Sequence, residues 1–202
     1  MHSSLIKKLR LIIYKTQRLV RSDTISGLIA RTPLKLHLGC GGQHWEGWLN
    51  IDVNENSAAD LIMDFREIKN IFKVNTVDEI AMMHSISYLR LWEAKDLFHE
   101  MYSLLKKGGK CILEFPDILK CATHILKHEK EIIEYLEGIR AIYAFDMQQI
   151  KRKEQFGTYA FGWSAWHIKH ELHNVGFSDV RIMNPETHNK LAWRDTRIEA
   201  TK

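Results

Sequence analysis

Short apolar segments recur along most of the chain, and they have the lengths of β-strands. They cover residues 34–38, 48–52, 60–64, 77–83 and 110–115. Apolar residues dominate these segments, whereas a strand with one solvated face alternates apolar and polar positions. The pattern therefore predicts a mostly parallel sheet that is covered by helices on both faces.

Two segments of the chain have helical patterns. Apolar residues between 94 and 105 recur every three or four positions, which predicts an amphipathic helix with Gly108 and Gly109 at its C-cap. Residues 118–150 predict one long helix or two, with Gly138 as the candidate break. Helices between strands agree with a parallel sheet, because each crossover must return the chain to the same edge.

The last part of the chain predicts one more helix and two more strands. Ser164 is the predicted N-cap of this helix, and Gly176 ends it. Strands are predicted over 179–183 and 196–201. Functional residues in such sheets follow the carboxyl ends of the strands. The candidate positions are therefore 39–44, 52–54, 64–66, 84–88 and 114–117.

Residues 1–30 are predicted to form a basic helix and a linker, separate from a domain over 31–202. Apolar residues from Leu5 to Val20 follow a helical stripe, and residues 1–21 contain no acidic residue. Its six basic residues lie on or beside the opposite face: Lys7, Lys8, Arg10, Lys15, Arg18 and Arg21. Two interpretations of residues 5–21 stay open: docking on this protein or on a second copy, and contact with an anionic membrane surface.

Charge and composition exclude several classes of protein. Residues 22–202 hold 23 basic and 25 acidic residues, so the main body lacks the positive excess of a nucleic-acid binder. The chain is 45% hydrophobic and 27% charged, as in ordinary globular domains, and no apolar run approaches the roughly 18 residues of a spanning helix. Three cysteines without CxxC spacing or a secretory leader predict a reducing, cytoplasmic location, and the membrane interpretation would place the protein at the inner membrane face.

A glycine-rich loop follows the first predicted strand. Gly39, Gly41 and Gly42 let the backbone approach a ligand closely, and Asp52 at the end of the next strand can accept hydrogen bonds from ribose hydroxyls. The third glycine of a dinucleotide motif is replaced by His44, and Asp52 comes too soon after the loop for a full intervening helix. The loop therefore favours a nucleoside ligand without a pyrophosphate, such as S-adenosylmethionine, over a nicotinamide dinucleotide.

Four segments carry a resemblance to a known family. They are LHLGCGGQHWEGWLNID, DLIMDF, LLKKGGKCILEFPD and GFSDV followed by RDTRIEATK. Over residues 34–202 the chain resembles small class I S-adenosylmethionine-dependent methyltransferases, most closely the bacterial single-domain type associated with surface-polysaccharide biosynthesis. The resemblance implies a Rossmann-like α/β fold with sheet order 3-2-1-4-5-7-6 and an antiparallel strand 7. It also implies S-adenosylmethionine as cofactor and a small-molecule or saccharide acceptor.

The resemblance assigns the cofactor to residues at the first two strand ends. Gly39, Cys40 and Gly41 would form the loop beneath its methionine part and ribose. Asp52 would hold the ribose hydroxyls, and Val53 would lie against the adenine.

The next two strand ends complete the implied site. Asp64 would bind the adenine amino group, Phe65 would offer a backbone amide, and His84 would border the sulfonium. Members of the family carry a Glu-His pair shortly after the histidine, but this chain has Ser87 and Tyr88 there. That departure keeps a second interpretation open, a non-catalytic partner module with the same fold. A nicotinamide-dependent oxidoreductase is the third and is disfavoured by the glycine spacing.

A sugar hydroxyl is a poor nucleophile, so methylation of one benefits from a general base. His84 and Asp117 are the predicted catalytic residues, and Glu114 and His167 are further candidates. Asp117 is equally well placed to cap the helix that begins near residue 118.

Aromatic and metal-binding patterns add little to this prediction. Tyr159, Phe161, Trp163 and Trp166 are candidates for an acceptor wall, although aromatic clusters also form ordinary core. Trp45 and Trp48 near the glycine loop can likewise cover the cofactor or pack in the core. The histidines at 124, 128, 167, 170 and 173 lie on helix faces without a complete partner motif, so no metal site is predicted.

Overall fold

The computed structural model describes residues 26–144, 158–187 and 191–202. The chain divides into two compact units, Met1–Leu34 and Lys35–Lys202. In the first unit, residues 26–29 are helical. The predicted helix over 5–21 lies outside the described residues, so its role stays a prediction, as does the boundary at residue 30.

Seven strands form a single sheet in the second unit. They are β1 (Lys35–Leu38), β2 (Leu49–Asp52), β3 (Leu61–Ile62), β4 (Val77–Met83), β5 (Leu105–Pro116), β6 (Ser178–Met183) and β7 (Asp195–Thr201). Their order is β3-β2-β1-β4-β5-β7-β6. Strands β1 to β5 pair in parallel, and β7 is antiparallel to both β5 and β6. The predicted fold, sheet order and antiparallel seventh strand are confirmed.

Four α-helices accompany the sheet within the described residues of the second unit. They are α1 (Leu91–Leu104), α2 (Ile118–Lys127), α3 (Ile132–Tyr143) and α4 (Ala165–Val175). Two short 3₁₀ helices cover Phe65–Asn70 and Ile86–Tyr88. Among these described helices, none is long and apolar enough to span a membrane.

The predicted glycine C-cap and helix break are both wrong. Helix α1 ends at Leu104 and β5 begins at the next residue, so Gly108 lies inside the strand with a φ of +79°. Residues 128–131 separate α2 from α3, while Gly138 lies within α3. A Cβ on Gly138 would come 2.5 Å from Cγ1 of Ile125, so the glycine allows these two helices to pack closely.

The core explains why the strands have continuous apolar sequences. All four residues of β2 and the last four of β4 are buried, as expected when both faces of a sheet are covered. Helix α1 adds buried residues at helical spacing: Ala94, Leu97, Phe98, Met101 and Leu104. Because β1 to β5 are parallel, their carboxyl ends lie at one edge of the sheet. The first residue of the antiparallel β7, Asp195, pairs with Pro116 at the end of β5, so it also lies at that edge.

Candidate active site

A cavity of about 650 Å³ lies at the carboxyl ends of β1, β2 and β4. Its lining includes all eight residues that the sequence assigns to a cofactor: Gly39, Cys40, Gly41, Asp52, Val53, Asp64, Phe65 and His84. This volume falls within the range of about 300–1,000 Å³ that is typical of small-molecule sites. The structure therefore brings the predicted cofactor residues around one cavity.

The glycine loop turns sharply beside the end of β4. Gly39 has a φ of +70°, and a Cβ there would lie 2.4 Å from the Cβ of Ser85. The Ser85 hydroxyl donates to the carbonyl of Leu38 at 2.8 Å, which holds the serine against the loop. Gly41 has a φ of +54°, but a Cβ there would meet no atom within 4 Å. The first glycine is thus required by packing, and the second borders open space.

Asp52 joins the glycine loop to the end of β2. One of its carboxylate oxygens accepts from the Gly41 amide at 2.7 Å, and the other accepts from the Asn54 amide at 2.8 Å. Each carboxylate oxygen has two lone pairs, so both keep capacity for a further hydrogen bond. Val53, the next residue, is 65% exposed and presents an apolar surface to the cavity.

Asp64 is held by an arginine that the sequence analysis did not single out. The carboxylate of Asp64 accepts from the Arg66 amide at 2.9 Å and forms a two-pronged ion pair with its guanidinium. Arg66 also contacts Glu93 of α1 at 2.7 Å. Hydrogen bonds from Arg66 lower the pKa of Asp64 below its usual range. Adenine binding by Asp64 stays a prediction, and the adenine would have to share oxygens that Arg66 already uses.

His84 projects from the end of β4 toward a buried carboxylate. Its backbone has a φ of +57°, and its amide donates to the Glu114 carbonyl at 2.7 Å. Its Nε2 atom lies 3.5 Å from Oδ2 of Asp195, whose side chain is completely buried. Arg194 pairs with both oxygens of Asp195 at 2.7 Å. Burial opposes ionisation of Asp195, but the neighbouring His84 and the hydrogen bonds from Arg194 outweigh it and lower the pKa of this carboxyl.

Asp195 and Arg194 were missed as site residues, although a signal was available. Arg194 directly precedes the last strand and Asp195 begins it, and an antiparallel last strand begins at the edge where the parallel strands end. The predicted topology thus already placed this dipeptide beside the candidate site.

Asp117 lies outside this cavity lining and caps two helices. It is 4% exposed, and its carboxylate accepts from the Leu119 amide at 3.0 Å, at the start of α2. The same carboxylate accepts from the Ala165 amide at 2.9 Å, at the start of α4, and from the Thr196 hydroxyl at 3.3 Å. Its role as a general base stays a prediction, and these contacts give it a structural role.

We expect Asp117→Ala to lower the free energy of unfolding by about 2–4 kcal/mol, since it removes the caps of two helices. Urea denaturation of the variant and the wild type measures this difference. Asp117→Asn is the matched control, because its single oxygen preserves one of the caps and should cost less. If the free energy of unfolding of the alanine variant falls by less than about 0.5 kcal/mol, the assignment of Asp117 as the cap of both helices would be contradicted.

Glu114, another candidate base, anchors a loop through its carboxylate. Its buried carboxylate accepts from the amides of Glu186 and Thr187 at 2.9 and 3.1 Å, and from the Thr187 hydroxyl. Arg197 lies 3.7 Å away on β7. These contacts tie the chain after β6 to the end of β5.

The four aromatic residues proposed for the acceptor wall have different environments in the structure. Trp163 is fully buried in the core and contacts Phe161 with ring centres 4.7 Å apart. Trp166 is 62% exposed. Tyr159 contacts Tyr88, a cavity residue, edge-on at 4.9 Å. Burial raises the pKa of both tyrosines, so their phenols stay neutral.

The tryptophans near the glycine loop pack against the sheet. Trp45 stacks on His37 of β1 at 4.1 Å and meets Trp48 edge-on at 5.2 Å. Both pack on the cluster of Ala81, Met83 and Ile112. Packing therefore accounts for both side chains.

Potential metal ligands do not gather in the part of the chain that the structure describes. No group of three or more histidine, cysteine, aspartate or glutamate side chains there could hold a metal ion.

Known structures share this fold at low sequence identity. No protein-family model matches the chain, and no curated protein matches it. A SAM-dependent methyltransferase from Archaeoglobus fulgidus is 14% identical with a TM-score of 0.57, covering 96% of this chain and 94% of its own. One from Methanosarcina mazei is 14% identical with a TM-score of 0.58, covering 83% and 91%. Phosphoethanolamine N-methyltransferase 2 from Haemonchus contortus, in complex with S-adenosyl-L-methionine, is 13% identical with a TM-score of 0.51, covering 90% and 52%.

Proposed function

We propose that this protein is a SAM-dependent methyltransferase that methylates a hydroxyl oxygen of a sugar or polysaccharide intermediate. One observation carries the proposal: the Gly39 to Gly41 loop is bonded to the Asp52 carboxylate at the wall of a 650 Å³ cavity. The similar structures support it, because proteins with this fold include methyltransferases that use the same cofactor. Fold alone does not determine function, so the proposal rests on the chemistry of the cavity.

The residues of the cavity fit S-adenosylmethionine. Asp52 keeps acceptor capacity on both oxygens, as two ribose hydroxyls require. Gly41 has open space where a side chain would stand, so a ligand can approach its backbone. The exposed side chain of Val53 offers an apolar surface for the adenine ring, with Asp64 and Phe65 next along the cavity wall.

The side chains of this protein have to supply proton transfer, because the cofactor supplies the methyl group. When bound, S-adenosylmethionine supplies the methyl group: the acceptor oxygen bonds to the methyl carbon while the carbon–sulfur bond breaks and its electron pair goes to sulfur. We assign the hydroxyl proton to the imidazole of His84, which lies on the cavity wall and is 12% exposed. The imidazolium then releases the proton to water, which restores the base. Holding the acceptor in line accounts for much of the remaining catalysis.

A sugar-like acceptor agrees with the aromatic surface beside His84. Tyr88 lines the cavity, is 46% exposed and is held edge-on by Tyr159. An aromatic face of this kind suits the apolar side of a pyranose ring. The resemblance to polysaccharide-associated methyltransferases adds to the same proposal.

Calorimetric titration with S-adenosylhomocysteine, followed by a methyl-transfer screen, tests the proposed function. We expect micromolar binding and transfer of labelled methyl to a hydroxylated saccharide acceptor. No binding would overturn the proposal. Binding without transfer to any acceptor would favour the partner-module interpretation, which the Ser87 and Tyr88 replacements support.

The basic segment over residues 5–21 has two alternative roles in this proposal. Contact with anionic lipid at the inner membrane face would suit a lipid-linked acceptor, and docking on a second copy would instead produce a dimer. Cosedimentation with anionic vesicles measures lipid binding, and analytical ultracentrifugation of the protein alone measures dimerisation. Each is done with the full chain and with a chain that lacks residues 1–21. Lipid binding that survives the deletion would contradict membrane contact through this segment. A dimer that survives it would contradict dimerisation there.

A further inference from the structure

We infer that Asp195 positions His84 for proton transfer by holding the Nε2 hydrogen of its imidazole, with Arg194 fixing the carboxylate in turn. The inference rests on the proposed function, in which His84 is the base. Asp195 itself is completely buried and lies outside the cavity lining, so it acts through the histidine and not on the acceptor.

The backbone around Asp195 is anchored from several sides. Its amide donates to the Leu191 carbonyl at 2.7 Å, and its carbonyl accepts from the Lys120 ammonium at 2.7 Å. Pairing of β7 with β5 places it opposite Pro116. The carboxylate is therefore held in a fixed place relative to the end of β5.

The backbone of His84 is anchored to the same strand. Its amide bonds to the Glu114 carbonyl of β5, two residues before Pro116. The imidazole and the carboxylate thus both take their positions from β5. Their separation of 3.5 Å is long for a hydrogen bond, and free-enzyme contacts of this kind commonly tighten when substrate binds.

The charges around the pair favour an ionised carboxylate. The positively charged Arg194 pairs with both oxygens of Asp195, and His84 lies beside the same carboxylate. Among the described residues, the Lys120 ammonium is bonded to the Asp195 carbonyl. Tyr159 and Cys121 are also near Asp195, with Tyr88 against Tyr159, and burial keeps these three groups neutral. Asp117 is the other acid near Cys121 and is bonded to helix amides.

An ionised Asp195 decides which imidazole nitrogen carries the proton. A carboxylate can only accept, so it selects the neutral tautomer with hydrogen on Nε2, and the lone pair then lies on Nδ1. Nδ1 is therefore the atom that would accept the hydroxyl proton. The negative charge also stabilises the imidazolium once it forms.

The tautomer can be measured on the wild-type protein without any assay of activity. We expect nitrogen-15 NMR of histidine-labelled protein to show the Nε2–H tautomer of His84 as the major neutral form. His84→Gln identifies its signals. A major Nδ1–H tautomer would overturn the inference whether or not the protein transfers methyl groups.

Kinetics of Asp195→Asn test the same inference in turnover. We expect kcat to fall by about 100-fold, since orientation and tautomer of the base are lost, while affinity for S-adenosylhomocysteine changes less than about threefold. In the His84→Gln background, Asp195→Asn should cause little further loss, because the two residues act as a unit. Equal losses in both backgrounds, with the cofactor still bound, would show that Asp195 does not act through His84. If the wild type does not bind S-adenosylhomocysteine, the proposed function would be refuted instead.

Discussion

Replacement of Asp52 by alanine is expected to weaken the binding of S-adenosylhomocysteine by about 100-fold or more, because hydrogen bonds to a charged group contribute about 1.5–3 kcal/mol each. Two ribose hydroxyls would lose their acceptor. The amides of Gly41 and Asn54 would lose theirs as well, so the loop beneath the ligand would lose its link to β2. Calorimetry of the variant and the wild type gives the ratio of dissociation constants.

Two further variants make this measurement specific. Glu55→Ala removes an exposed carboxylate three residues along the chain, outside the cavity lining, and should leave affinity unchanged. Asp52→Asn keeps one acceptor oxygen and should fall between the alanine variant and the wild type. Wild-type affinity in Asp52→Ala, with the fold retained by circular dichroism, would remove Asp52 from the cofactor site.

Gly39→Ala is expected to lower the free energy of unfolding by about 3 kcal/mol. A left-handed backbone costs a residue with a Cβ about 1–2 kcal/mol, and overpacking costs about 1–3 kcal/mol. The new Cβ would stand 2.4 Å from the Cβ of Ser85. That serine cannot move freely, since its hydroxyl is bonded to the Leu38 carbonyl. Urea denaturation measures the loss.

Gly41→Ala provides the matched control, because Gly41 is also left-handed but has open space around the position of a Cβ. We expect it to cost only about 1–2 kcal/mol of stability. Its methyl group would enter the cavity, so the affinity for S-adenosylhomocysteine should fall although the protein stays folded. Equal destabilisation by the two substitutions would contradict the packing role of Gly39.

The strand ends of the candidate site could be predicted because they are local features of the sequence. The first four strands are short and mostly apolar: Gly39 follows β1, Asp52 ends β2, Asp64 lies two residues after β3, and His84 follows β4. Parallel strands end at one edge, so Gly39, Asp52, Asp64 and His84 could be placed together without knowing any contact between them. The order of the strands came from the family resemblance and could not be derived from the pattern.

The interactions that tune these residues depend on contacts between distant segments. Asp195 reaches His84 from the last strand, and Arg66 links Asp64 to Glu93 across 27 positions of the chain. Composition and periodicity carry no information about such pairs. The capping role of Asp117 was foreseen for α2, but the second cap depends on α4 beginning 48 residues later beside the same carboxylate.

The three buried cysteines can be used to measure local unfolding of the protein. Burial, with the nearby charge of Asp52, raises the pKa of Cys40 to about 11, and burial raises that of Cys121 to about 12 and keeps that of Cys111 far above its usual range. Thiolates are the reactive form, so at neutral pH alkylation must wait until a thiol is exposed. Cys40 lies in the glycine loop, Cys111 in β5 and Cys121 in α2. The alkylation rate of each cysteine therefore measures how fast its part of the fold opens. Ligand binding should slow the alkylation of Cys40 most strongly.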